Sequence, residues 1–228
     1  MEETRTEENL DVLAATLVNR SAPGLFLTFE GGDGCGKTTQ IALLAEALEA
    51  RGVRVLVTRE PGGTDLGQHL RRHIQHGPED MDPRTEALLY AADRAYHAAT
   101  VLRPALAEGI TVLGDRYIDS SVAYQGAARH LGPEEIRSLS EWATDNLYPE
   151  VTILLDMDAG VGIDRIGHAG QDLDRLERAG DQFHRRVSEH YREIAAAYPE
   201  RILVINAQQP IVDVFADIVA ALRSRILP

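Results

Sequence analysis

The chain has 228 residues, 44% of them hydrophobic, which is enough for one sizeable buried core. Its formal charge of −13 argues against a general nucleic-acid binder, which carries a basic face, and no apolar run is long enough to predict a membrane span. The single cysteine, Cys35, excludes an internal disulfide and any cysteine-rich zinc site.

The N-terminus, "MEETRTEENLDVLAATL", is acidic and polar before it turns apolar, unlike the basic start of a secretory signal, so a soluble cytoplasmic protein is expected. Residues 1–23 read as an extension: a short amphipathic helix over "LDVLAATLVNR" with Ser21-Ala22-Pro23-Gly24 as its linker, either packing on the body or trailing as a tail. Residues 24–228 read as one domain in which apolar runs alternate with helical stretches. The expected strands are 25–30, 53–60, 110–117, 151–157 and 201–207. The expected helices are 37–52, a long one over 82–109 kinked by Pro104, then 133–147, 181–198 and 210–226. Continuous apolar strands alternating with helices predict an α/β fold with a parallel sheet covered on both faces. Ligands on such sheets bind at the carboxyl ends of the strands.

The most informative stretch is "FEGGDGCGKTT", residues 29–39. Gly31-Gly32-Asp33-Gly34-Cys35-Gly36-Lys37-Thr38 fits the pattern G-x-x-x-x-G-K-[ST] between a strand and a helix, the context this motif requires. Its glycines reach positive φ and leave room for a phosphate against the backbone, while successive N–H groups and the helix start supply positive potential. Lys37 is expected at the β- and γ-phosphates of a nucleoside triphosphate, with Thr38 on Mg²⁺ and Thr39 following in the site. Cys35, near Lys37 at a helix start, is an expected target for thiol reagents, with ATP protecting.

Other polar clusters fall at the same strand ends. "TREPGGT" (58–64) presents Arg59, "GDRY" (114–117) presents Asp115 and Arg116, and "YAADR" (90–94) presents Arg94 from the long helix. Three guanidiniums at one rim suit phosphate oxygens, so Arg59, Arg94 and Arg116 are expected to converge on one anion. His69, His73 and His76 have helical spacing but lack a compelling further ligand, so a solvent-facing helix is expected rather than a metal site.

Taken in order, "FEGGDGCGKTTQ", "TREPGGT", "LLYAADR", "GDRYIDSSVAYQG" and "DRLE" resemble the consecutive signature segments of the thymidylate kinase family, over about residues 24–226. The resemblance implies a P-loop NTPase-type three-layer fold with a five-stranded parallel sheet and a mobile lid near 160–180. It implies ATP-dependent phosphorylation of dTMP with Mg²⁺ as cofactor, supplying dTTP synthesis, and a homodimer through helix 83–103. It places Asp33 near the deoxyribose 3′-hydroxyl, which explains an acid inside a phosphate loop. Arg59 and Arg116 would hold the acceptor phosphate, with Asp115 helping to organise Mg²⁺. Tyr90 would stack on thymine, Arg94 would reach its O4, and Ser121 and Gln125 would meet its polar edge. Tyr124 would crowd a ribose 2′-hydroxyl, and "NAQQP" (206–210) would lie by adenine.

Some thymidylate kinases carry a catalytic arginine in the loop directly after the acid; here that position is Gly34. The chain therefore resembles the bacterial subtype, which supplies arginines from the lid, although the usual arginine-rich centre reads "GHAGQD". Arg175 is the first candidate and Arg165 the second, with Glu177 as a further site residue. Two other readings stay open at this point: a kinase for another deoxynucleotide or a deoxynucleoside, and a nucleotide-binding switch without catalysis. The phosphate-seeking arginines oppose the deoxynucleoside; the altered lid keeps the switch in view.

Overall fold

The computed structural model describes residues 2–168 and 174–227. Five parallel strands, β1 (Phe26–Glu30), β2 (Val55–Arg59), β3 (Thr111–Asp115), β4 (Val151–Asp156) and β5 (Ile202–Asn206), stand in the order β2-β3-β1-β4-β5. The chain runs from central β1 to β2 and β3 on one side, then crosses to β4 and β5 on the other. The crevice created by that reversal lies at the carboxyl end of β1, which is where the glycine loop begins.

Successive strand residues point to opposite faces. Leu25, Leu27, Phe29, Ile153 and Leu155 enter one core cluster, with α1 (Glu2–Val18), α2 (Lys37–Glu49) and α10 (Ile211–Ile226). Phe26, Val112 and Leu154 enter the other, with α4 (Pro83–His97), α5 (Arg103–Ala107), α7 (Pro133–Thr144) and α9 (Asp181–Ala197). This is the expected three-layer arrangement. Strands β1, β3 and β4 are buried almost throughout, whereas edge strands β2 and β5 keep exposed positions.

The N-terminal segment is a longer helix than "LDVLAATLVNR" predicts. Helix α1 packs on α10, and Leu10, Leu13 and Leu17 are all at most 5% exposed. Each fully buried leucine contributes roughly 1.5–3 kcal/mol. Arg51, just past α2, ties α1 down by donating to Asp11 at 2.7 Å and to Glu7.

The long helix expected over 82–109 is broken. Asp82 caps α4 by accepting from the amides of Arg84 and Thr85, and Pro83 occupies its first turn. The helix then widens into a π turn at Ala98–Leu102 before α5. Pro104 explains this: it has no N–H, and in a regular helix its ring would meet the carbonyl of Thr100. A second π stretch, Val122–Ala128, follows the short α6 (Ile118–Ser121) and carries Tyr124 and Gln125. Helix α3 (Asp65–His76) presents His69, His73 and His76 to solvent, as expected.

The segment expected to be one glycine-rich lid loop divides. Residues Ala159–His168 form helix α8, and a short 3₁₀ turn covers Glu177–Ala179. Most of "GHAGQD" lies outside the described residues.

Candidate active site

The glycine loop leaves β1 with three of its glycines at positive φ: Gly31 (136°), Gly34 (73°) and Gly36 (94°). Gly36 caps α2, so the amides that begin this helix face the loop mouth. Lys37 is 7% exposed, and its Nζ donates to the carbonyls of Gly31 (3.1 Å) and Gly32 (2.8 Å). An open cavity spreads from this mouth. It is lined by Asp33, Gly34, Gly36, Lys37, Thr38 and Thr39 from the loop, and by Arg59, Asp115, Arg116 and Arg165 across it. Gly31, Gly32 and Cys35 do not line this cavity. Cys35 is 3% exposed, so the thiol expected to meet reagents is shielded by the fold.

A second cavity, about 630 Å³, lies beside it. Seven of the eight residues expected around the acceptor line it: Asp33, Tyr90, Arg94, Arg116, Ser121, Tyr124 and Gln125. The eighth, Arg59, lines only the loop cavity. The register accounts for the rim: Arg59 pairs with Asp115 across β2 and β3, and Arg116 follows directly.

Arg116 adopts φ 68°, an uncommon conformation for a residue with a side chain. Its Nη2 donates to Asp33 Oδ1 at 2.5 Å and to the Tyr124 hydroxyl at 3.3 Å. The Tyr124 hydroxyl donates to Asp33 Oδ2 at 2.8 Å. Burial pushes the Asp33 carboxyl up, but Arg116, Lys37 and the Tyr124 hydrogen bond together hold it below the usual carboxylate range. The acid in the loop is thus an ionised acceptor fixed between two donors.

The expected trio of Arg59, Arg94 and Arg116 is revised. Arg94 lies deeper, 1% exposed, donating to Glu60 Oε2 (2.7 Å), Ser140 Oγ (2.9 Å), the Tyr117 carbonyl and Ser121 Oγ (both 3.0 Å). It forms the floor of the acceptor cavity and not the phosphate rim. Glu60 is shared with His97, whose Nδ1 lies 2.8 Å from Oε1. The third rim cation is Arg71, which reasoning from sequence missed. It lines both cavities, and its Nη1 donates to the Pro61 carbonyl at 3.0 Å. Among the described residues no carboxylate forms an ion pair with Arg59 or Arg71. Burial, and after it the Arg59 charge, hold the Arg71 pKa below its usual range, as expected for cations crowded around a place for an anion. The available signal was the phase of helix α3, which follows the "TREPGGT" turn and sends position 71 back toward it.

The two lid arginines separate. Arg165, on α8, is exposed and lines the loop cavity. Arg175 does not face either cavity, which corrects the first choice. It is 5% exposed: Nε and Nη2 donate to the Ile74 carbonyl (3.1 and 3.0 Å), and Nη1 donates to Glu86 Oε2 at 2.7 Å. Glu86 is fully buried and also accepts from Gln125 (2.9 Å) and Arg129 (3.2 Å). A guanidinium with all its edges used in this way anchors the 174–180 segment. Glu177 does line both cavities.

Gly34 meets helix α8 closely. A Cβ at Gly34 would lie 2.1 Å from the Gly162 carbonyl oxygen, and one at Gly162 would lie 2.2 Å from the Asp33 carbonyl oxygen. Only paired glycines allow this contact, so an arginine side chain has no room at position 34 here.

A glycine loop for phosphates, opening into a cationic rim that borders a second cavity, defines a P-loop phosphotransferase. Comparison with known proteins narrows this. The thymidylate kinase family model matches residues 29–218. A thymidylate kinase of Leifsonia xyli subsp. xyli is 52% identical over 209 residues, covering 92% of this chain and 99% of the relative. One of Deinococcus radiodurans is 48% identical over 202 residues, covering 89% and 98%. The crystal structure of thymidylate kinase from Ehrlichia chaffeensis superposes with a TM-score of 0.73 at 33% identity, covering 88% of this chain and all of that one. The chain therefore belongs to the thymidylate kinase family, enzymes that phosphorylate dTMP to dTDP with ATP as donor. Helix α1 lies ahead of the region matched to the family model.

Proposed function

We propose that this chain transfers the γ-phosphoryl group of ATP in line to the phosphate of dTMP, with ATP phosphates in the loop cavity and dTMP in the neighbouring one. One observation carries the reading: Asp33, Glu60, Arg71, Arg116 and Glu177 line both cavities, so two phosphate tails would meet along a common wall. The acceptor oxygen is already a nucleophile at neutral pH, and the protein's work is positioning and charge neutralisation. Lys37 serves the donor phosphates, Arg59, Arg71 and Arg116 serve the acceptor phosphate, and Arg165 covers the transferring group. Tyr90 stacks on the base over the floor made by Arg94, Ser121 and Gln125. Asp33 and Tyr124 meet the deoxyribose, with Tyr124 disfavouring a 2′-hydroxyl.

Thr38 Oγ1 donates to Asp115 Oδ2 at 3.3 Å, so a hydroxyl and a carboxylate stand together at the loop mouth. That pair fits Mg²⁺, which takes one or two protein oxygens and fills its remaining positions with phosphate and water. When bound there, the ion supplies neutralisation of the phosphate charge.

Residues 24–228 form the kinase unit in this reading, and residues 1–23 add a helix that seals one core. Among the described residues no helix is long and apolar enough to cross a membrane. A cytoplasmic enzyme whose product feeds dTTP synthesis accords with the nucleotide substrates. A homodimer is supported by Leu88, Ala92 and Tyr96 on α4 and Ala99 in the π turn that follows, all of them exposed.

The test is ADP release with dTMP, dUMP, dCMP, dGMP and UMP, with and without Mg²⁺. Turnover is expected to be greatest with dTMP and to require the ion. Tight ATP binding without turnover on any acceptor would overturn the reading in favour of a switch.

A further inference from the structure

We infer that Glu30 is a positioning residue that sets Arg116 at the junction of the two cavities; the inference rests on the reading of Arg116 as a ligand of the acceptor phosphate. Glu30 ends β1, is fully buried and lines neither cavity. A carboxyl group buried one residue before the phosphate loop requires partners, and every partner it has leads to Arg116.

Oε1 accepts the backbone N–H of Tyr117 at 2.7 Å. Tyr117 directly follows Arg116, whose own N–H is held by the Phe29 carbonyl at 3.0 Å. These two bonds bracket the one residue at this rim with φ 68°. Such a conformation persists in a side-chain-bearing residue when its surroundings over-determine it.

Oε2 accepts from Ser120 Oγ at 2.5 Å and from the Tyr191 hydroxyl at 2.9 Å. A hydroxyl that has given its proton to a carboxyl oxygen presents lone pairs elsewhere. Both do so toward the same atom: Arg116 Nη1 lies 3.1 Å from Ser120 Oγ and 3.3 Å from the Tyr191 oxygen. Nη1 also donates to the Gly31 carbonyl at 3.1 Å. Nη1 is therefore the anchored corner of the guanidinium. Nη2 meets Asp33 and Tyr124, both of which line the acceptor cavity. Glu30 thus fixes the backbone of Arg116 through one oxygen and aims its side chain through the other, without touching a substrate.

A carboxyl group that merely braced the fold would weaken every ligand together when removed. A positioning role instead predicts a loss confined to the acceptor's phosphate. Calorimetry with dTMP, thymidine and ATP on wild type, Glu30→Ala, Ser120→Ala/Tyr191→Phe and Arg116→Ala separates the two. The expectation for Glu30→Ala is a dTMP affinity reduced about tenfold, or roughly 1.4 kcal/mol, with thymidine and ATP affinities changed by less than about twofold. The double variant is expected to reproduce this loss, and to carry the test if Glu30→Ala does not fold. Adding Glu30→Ala to the double variant should cost far less than the separate losses predict. If Arg116→Ala weakens dTMP selectively while the Glu30 and hydroxyl variants weaken dTMP and thymidine alike, or neither, the inference is overturned and the Arg116 reading stands. If Arg116→Ala itself changes dTMP and thymidine equally, that reading fails and takes the inference with it.

Discussion

Arg175 offers the sharpest separation of an anchoring from a chemical role. Replacing it by alanine removes four hydrogen bonds, two to the Ile74 carbonyl, one to Glu86 and a weaker one to Met81 Sδ at 3.7 Å. Glu86 would keep Gln125 and Arg129, so it is not left alone, but the Ile74 carbonyl loses its guanidinium. Breaking a buried pair by removing one partner costs about 3–5 kcal/mol, and the surviving partners of Glu86 put this case near the lower end, about 3 kcal/mol. For a chain of this size that corresponds to a fall in Tm of roughly 6–12 °C. Because the guanidinium points away from both cavities, kcat measured well below Tm should fall by less than about tenfold, or 1.4 kcal/mol of barrier. Thermal denaturation followed by circular dichroism, together with steady-state ADP release, gives both numbers. A Tm within about 2 °C of wild type combined with a loss of about a hundredfold or more in kcat would refute the reasoning and put Arg175 on the transferring group.

Arg165→Ala should show the opposite pattern: kcat down by about tenfold or more with Tm and dTMP affinity nearly unchanged, read by the same pair of assays. Gly34→Ala should raise the ATP KM and lower turnover, since its methyl would meet the Gly162 carbonyl at 2.1 Å on a backbone with φ 73°; unchanged ATP kinetics would contradict the contact. Asp93, 1% exposed and with no hydrogen-bond partner for Oδ2 among the described residues, has its pKa pushed up to about 6, chiefly by burial and then by Glu60. A raised carboxyl stabilises the fold below its unfolded value near 3.8, and that contribution is lost as pH rises through about 6. Asp93→Asn, which retains an acceptor for the Gly62 amide, should therefore gain Tm relative to wild type at pH 8 and lose most of that advantage by pH 4.5, within a full swing of about 3 kcal/mol. Parallel melting curves across that range would remove the assigned cause.

The sheet, the loop and most of the acceptor pocket were legible because their signals are local. Apolar runs of strand length, a glycine pattern of fixed spacing and arginines directly after strands need no knowledge of distant chain. What was illegible depended on contacts across the chain. "DRLE" gives no sign that Arg175 reaches Glu86, 89 positions away. Glu30 reads as the polar end of a strand, and its tie to Tyr191, 161 positions on, exists only once α9 packs on the sheet. Arg71 sits among histidines and arginines on an amphipathic helix, where its neighbours in sequence face water and only the helix phase distinguishes it. The π turn before Pro104 lay closer to hand: the proline predicted a kink, and the backbone absorbed the missing donor by widening.

The abutment of Gly34 and Gly162 has a consequence for how this architecture can be altered. Among the described residues the loop and α8 meet at this seam, and it is closed to within the width of one methyl group. A bulky cation installed on the loop would lever the lid helix, and Arg165 with it, off the donor cavity. The two routes for delivering a catalytic guanidinium are thus alternatives on this scaffold, and exchanging one for the other requires the seam to open before the new side chain can be accommodated.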